Sequence, residues 1–61
     1  MKKFIILKGI TDEDVSLTID SIISIKRDIR KNCTVIKTIH QNTEWYVQES
    51  VKNITDKINN N

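Results

Sequence analysis

Proline and alanine are absent from this chain, glycine occurs once (Gly9), and cysteine and histidine occur once each, at Cys33 and His40. Each shortage excludes something. A single cysteine forms no internal disulfide, and one cysteine with one histidine is too small a set for structural zinc. One glycine rules out a glycine-rich phosphate loop. The longest apolar run, Phe4 to Leu7, is far too short to span a membrane or to serve as a signal-peptide core. The net charge of +2 is too small to imply nucleic acid by itself. With no export signal and a free thiol, a reducing cytoplasm is the expected location.

What is present is β-branched. The chain holds twelve isoleucines in 61 residues. Such side chains are stiff in helices and pack well on a pleated surface, so the bias favours sheet. The richness in Ile, Lys and Asn is also associated with AT-rich coding, bacterial or phage. A single domain spanning 1–61 is near the lower limit for folding alone, because a chain of this size buries only about 60% of the surface it exposes when unfolded. Disulfides, metals or oligomerisation usually support such domains. With the first two excluded, self-association remains.

The pattern along the chain predicts five strands and one helix. Residues 2–8 (KKFIILK) form a first strand whose apolar residues are contiguous, so that both faces would be covered. Gly9 to Asp14 reads as a turn, with Asp12, Glu13 and Asp14 at its polar tip. Residues 14–19 alternate cleanly, Val15, Leu17 and Ile19 against Ser16 and Thr18. A corner at Asp20-Ser21 leads into a strand at 22–27, where Ile23 and Ile25 share a face. Residues 33–40 and 44–48 pair as a hairpin around Gln41-Asn42-Thr43, with Asn42 suited to a left-handed turn position. Ser50 can cap a helix over 50–59, along which Val51, Ile54 and Ile58 recur at helical spacing. The expected fold is therefore α+β: a small antiparallel, bent sheet of four to five strands with one C-terminal helix. The expected core is Phe4, Ile6, Val15, Leu17, Ile19, Ile23, Ile25, Val35, Trp45, Val47, Val51, Ile54 and Ile58.

No catalytic constellation is legible. Cys33 and His40 on one strand would lie about 23 Å apart along it and face opposite sides. Cys33 reads as a half-buried structural thiol and His40 as a surface residue at the hairpin end. The acidic run Asp12-Glu13-Asp14 lacks the alternating oxygen ligands and terminal bidentate Glu of a calcium loop, and reads as a solvated turn. No metal, cofactor or enzymatic activity is expected.

Two surfaces remain. Lys26, Arg27, Arg30 and Lys31 form a basic loop, interrupted by Asp28, to which Tyr46, with Trp45, would add a stacking surface. Ile5, Leu7 and Ile36 are expected on a second apolar face that one short helix cannot cover, a surface for self-association. Leaving a large apolar side chain exposed forfeits roughly 1.5–3 kcal/mol.

The second half of the chain resembles the FlbD-like family of small bacterial flagellar and swarming-motility proteins. Thr34-Val35-Ile36 fits the opening of the family pattern, and Trp45 takes its aromatic position, followed by Val47. Glu49-Ser50-Val51 reproduces the ESV element, and Ile54 with Lys57-Ile58 completes the helix. Val15 to Ile25 fits the preceding strand–corner–strand more loosely. The family's hairpin glycine is replaced within His40 to Thr43, and its Leu-Asn-Gly turn becomes Gly9-Ile10-Thr11. The resemblance implies a small, non-enzymatic cytoplasmic protein. The expected function is that of a regulatory or adaptor protein acting by self-association and binding to another protein. The alternatives are a nucleic-acid-binding module using the Lys26–Lys31 loop, or a phage-encoded inhibitor of a host protein.

Overall fold

Strict alternation in Asp14–Thr18 settles the first hairpin. Val15 and Leu17 are buried while Asp14 and Ser16 are exposed, as period two requires of a strand with one covered face. The computed structural model describes residues 3–39 and 43–60. Within them β1 (Phe4–Lys8) pairs antiparallel with β2 (Asp14–Thr18), Ile5 opposite Leu17 and Leu7 opposite Val15. The register fixes the phase of the contiguous run FIIL. Ile5 and Leu7 share the inner face with Val15 and Leu17, and Phe4 and Ile6 point outward, reversing the expected assignment. The turn between the strands closes through Gly9 N–H to Glu13 O (2.8 Å) and Asp12 N–H to Gly9 O (2.9 Å), with Asp12 left-handed at φ 72°.

A 3-10 turn at Ile19–Ser21 makes the corner, and the Ser21 hydroxyl donates to Thr18 O at 2.7 Å. Strand β3 (Ile22–Asp28) then starts with a register shift between Ile22 and Ser24. The irregularity explains a second correction. An extra residue in one strand rotates its neighbours, so Ile22 and Ile25 pack on the core while Ile23 is 55% exposed. Strands β4 (Cys33–Thr38) and β5 (Glu44–Val47) complete a three-stranded sheet in the order β3-β4-β5. Here too a contiguous run takes the other phase. Thr34 lies opposite Val47 and Ile36 opposite Trp45 on the inner face, whereas Val35 and Tyr46 share the outer one. Trp45, expected in the core, stays 36% exposed at the margin of the inner face. The expected strand end at His40 and the turn residue Asn42 lie outside the described residues.

The protein is thus a small α+β fold with five strands in two antiparallel sheets, followed by one helix, α1 (Val51–Asn59). The single bent sheet expected from the sequence is divided at two corners. One is the β2–β3 turn; the other is a bridge between Gly9 and Val47, reinforced by Ile10 N–H to Tyr46 O (3.1 Å) and Gln48 N–H to Lys8 O (2.8 Å). The core they enclose is Ile5, Leu7, Val15, Leu17, Ile36, Val47 and Ile54, flanked by Ile19, Ile22, Ile25 and Ile58.

Helix α1 starts where the sequence places its cap: Ser50 Oγ accepts from Asn53 N–H at 3.1 Å. It packs against β1 and β3 through Ile54, fully buried, and the half-buried Val51 and Ile58. The buried Thr34 hydroxyl donates to Glu49 O at 2.6 Å and fixes the chain just ahead of the cap. Among the described residues no buried side-chain nitrogen or oxygen lacks a hydrogen-bond partner.

Candidate functional site

The basic residues gather at the β3–β4 end of the larger sheet. Lys26 and Arg27 are consecutive on β3, so their side chains leave opposite faces. The register carries Lys26 opposite Val35 and Val35 opposite Tyr46, which sets Lys26, Val35 and Tyr46 on one outer face. The connecting loop, residues 29–32, is shaped by Lys31 N–H donating to Asp28 Oδ1 (3.2 Å) and by Asn32 at φ 53°. That bend returns Lys31 over the sheet, with Nζ 4.0 Å from the Tyr46 ring centroid. Arg27 instead donates from Nη2 to Asn32 Oδ1 at 2.6 Å.

A shallow surface of about 370 Å³ collects Lys26, Arg27 and Arg30 with Ile29, Val35 and the carboxylates Asp28 and Glu44. Among the described residues none of the four cations of this region forms an ion pair. They present positive charge beside one apolar residue that the sequence reading passed over: Ile29, 86% exposed at the loop tip. An isoleucine inside the polar string RDIRK was the available signal. The aromatic platform of the nucleic-acid alternative does not form. Trp45 and Tyr46 are neighbours on β5 and face opposite sides, and one face of the Tyr46 ring is covered by Lys31. Trp45 donates its indole N–H to Thr38 Oγ1 at 3.4 Å on the inner side.

The apolar surface is also redistributed. Ile5, Leu7 and Ile36, expected to mediate self-association, are 3%, 1% and 0% exposed and belong to the core. Outward positions on β1 belong instead to Phe4 (55%) and Ile6 (63%), beside Thr18 and Ser16 on β2. The physical cause is the phase of a strand, since shifting the inward set by one residue exchanges every side chain between faces.

The remaining chemistry-bearing residues occupy structural positions. Cys33 is buried and free, and His40 lies outside the described residues. Glu13 accepts from the Thr11 hydroxyl, and Asp14 pairs with Lys8 Nζ at 3.0 Å. Among the described residues no three His, Cys, Asp or Glu side chains are grouped to hold a metal ion, and no helix is long and apolar enough to cross a membrane. No family model, curated protein or solved structure matches this chain.

Proposed function

We propose that this chain is a small non-catalytic binding protein, a regulator or adaptor that works by self-association and by contact with another protein. The observation that carries the reading is the outward presentation of Phe4 and Ile6 on the outer face of β1. Solvating large apolar groups costs roughly 1.5–3 kcal/mol each, a large share of the few kcal/mol that hold a domain of this size. Covering them in an assembly recovers that energy. The resemblance of Thr34 to Ile58 to FlbD-like proteins supports the same reading. Its matched positions, Ser50 as helix cap and Ile54 and Ile58 as the helix stripe, are architectural, so a role in motility does not follow from them.

Sedimentation velocity across the micromolar range, paired with affinity capture from the native host, tests this. The expected result is a species of at least twice the 7.1 kDa chain mass, and captured protein that Ile6→Asp releases without unfolding the domain. A monomer at every concentration that captures nothing beyond a tag control would overturn it.

A second reading, nucleic-acid binding, draws on Lys26, Arg27, Arg30 and Lys31 lacking ion-pair partners among the described residues. Phosphate contacts release counterions, so affinity for labelled DNA or RNA would fall steeply with salt, with a slope near −0.9 per duplex phosphate neutralised. Binding that disappears when the four charges are removed would favour it; no binding at low salt would eliminate it.

A further inference from the structure

The hydrogen-bond pattern of the first hairpin leaves one strand edge open. Lys3 and Ile19 are bonded across the hairpin, Ile19 N–H to Lys3 O at 2.9 Å, and at the other end Gly9 N–H reaches Glu13 O. In an antiparallel pair, hydrogen-bonded and non-hydrogen-bonded positions alternate. The bonded pairs are therefore Ile5 with Leu17 and Leu7 with Val15, while Phe4, Ile6 and Lys8 turn their backbone groups away from β2, and Asp14, Ser16 and Thr18 turn theirs away from β1. On the β1 side three of these groups are engaged: Ile6 O accepts from Lys57 Nζ (3.0 Å), Lys8 N–H donates to the Glu49 carboxylate (3.0 Å), and Lys8 O accepts from Gln48 N–H (2.8 Å), while Ile6 N–H has no partner among the described residues. On the β2 side Thr18 O accepts from the Ser21 hydroxyl. Among the described residues nothing pairs with the outward N–H and C=O of Ser16 or of Asp14. Among the described residues the edge is also accessible: Asp14 and Ser16 are exposed, and an open groove of about 310 Å³ is lined by Ser16, Leu17 and Thr18 together with Thr38 and Trp45.

We propose that a second copy of this chain occupies that edge, its β2 pairing antiparallel with β2 about a two-fold axis at Ser16. The inference rests on the self-association read above and places it at the β2 edge, which leaves Phe4 and Ile6 for the contact with another protein. The sequence of β2 is compatible with itself in this register. Ser16 meets Ser16 of the second copy, Val15 meets its Leu17, and Asp14 meets its Thr18, so no carboxylate faces another within the strand. The pairs at Ser16 and at Asp14 with Thr18 are the ones with outward backbone groups, so they form the bonds. Thr18 O has a second lone pair for the Asp14 N–H of the other copy. None of the usual protections of an edge, a lysine, a proline or a bulge, occurs in Asp14–Thr18. A hairpin of two strands becomes one sheet of four, and the interface is isologous, with each residue repeating its contact on the other side. Phe4 and Ile6 of both copies then stand on one face of that sheet, flanking the hydroxyls of Ser16 and Thr18.

Light scattering on the full chain and two variants tests this. Ser16→Pro deletes the outward N–H at a position where edge proline is tolerated; Ser16→Lys keeps the N–H but sets two ammonium groups against each other at the two-fold. The expected result is a dimer mass for the wild type, halved in both variants, with circular dichroism unchanged. If Ser16→Pro fails to fold, Ser16→Lys decides alone. Variants that remain dimeric would overturn the β2 site and leave self-association standing. A wild type that is monomeric at high concentration would overturn both.

Discussion

Strands β2 and β3 follow one another through a single corner, and each lies at the margin of its sheet, yet the two edges are built differently. Strand β3 carries a bulge at its start, Lys26, Arg27 and Asp28 at its end, and α1 packed against it. Strand β2 is regular, has no cation and leaves Ser16 without a backbone partner on its outer side among the described residues. Edges of the first kind are blunted against pairing with another chain; edges of the second kind are templates for it. In a chain of 61 residues with one helix, there is enough structure to protect one margin and not the other. The contrast is what the proposed pairing at β2 rests on.

Removing the protection from β3 is the strongest way to break the contrast. A chain ended after Glu49 loses α1 and with it Ile54, whose side chain is fully buried between the sheets and the helix. Loss of dispersed amide NMR signals and of cooperative unfolding is the expected result; a soluble, well-dispersed spectrum would show that the sheets stand without the helix. The milder Ile54→Ala opens a cavity at the same place and should cost about 2–5 kcal/mol. It is measured by urea unfolding at fixed protein concentration, because the proposed dimerisation would make apparent stability concentration-dependent.

How far the sequence could be read follows the same division. The alternation of Val15, Ser16, Leu17 and Thr18 admits one phase, and in β2 Val15 and Leu17 are the buried pair. The runs Phe4-Ile5-Ile6-Leu7 and Val35-Ile36 admit two phases equally well. Only the register against β2 and β5 chose between them, so Ile5, Leu7 and Ile36 went inside and Phe4, Ile6 and Val35 did not. The helix, with its Ser50 cap and Ile54/Ile58 stripe, was legible because capping and helical spacing are local. The division into two sheets was not, since it depends on the Gly9–Val47 bridge between distant segments. In the basic region the charges are legible in the sequence, and the alternation of Trp45 with Val47 already argues against a shared aromatic platform. Adjacent strand residues face apart, which separates Lys26 from Arg27 and Trp45 from Tyr46. The open edge of β2 leaves no mark in composition or period.

Smaller changes sharpen the comparison without dismantling it. Ser50→Ala removes the bond to Asn53 N–H at the start of α1 and should lower stability by about 1 kcal/mol in thermal or urea unfolding. A loss near zero would mean that tertiary packing of Ile54 and Ile58 alone sets the helix start. Lys31→Met removes the ammonium from above the Tyr46 ring and should cost about 0.5–1 kcal/mol. It should leave the dimer mass unchanged, because this contact belongs to the larger sheet and not to the β2 edge. A fall in dimer mass in Lys31→Met would place the interface at the basic loop.

Amide hydrogen exchange, followed residue by residue at two protein concentrations, compares the two margins of the first hairpin within one molecule. Lys8 N–H and Ser16 N–H both point away from the hairpin, one to the Glu49 carboxylate and the other to no partner among the described residues. The account predicts slow exchange at Lys8 at low and high concentration, and at Ser16 fast exchange when dilute that slows as the protein is concentrated. Fast exchange at Ser16 under both conditions would contradict it.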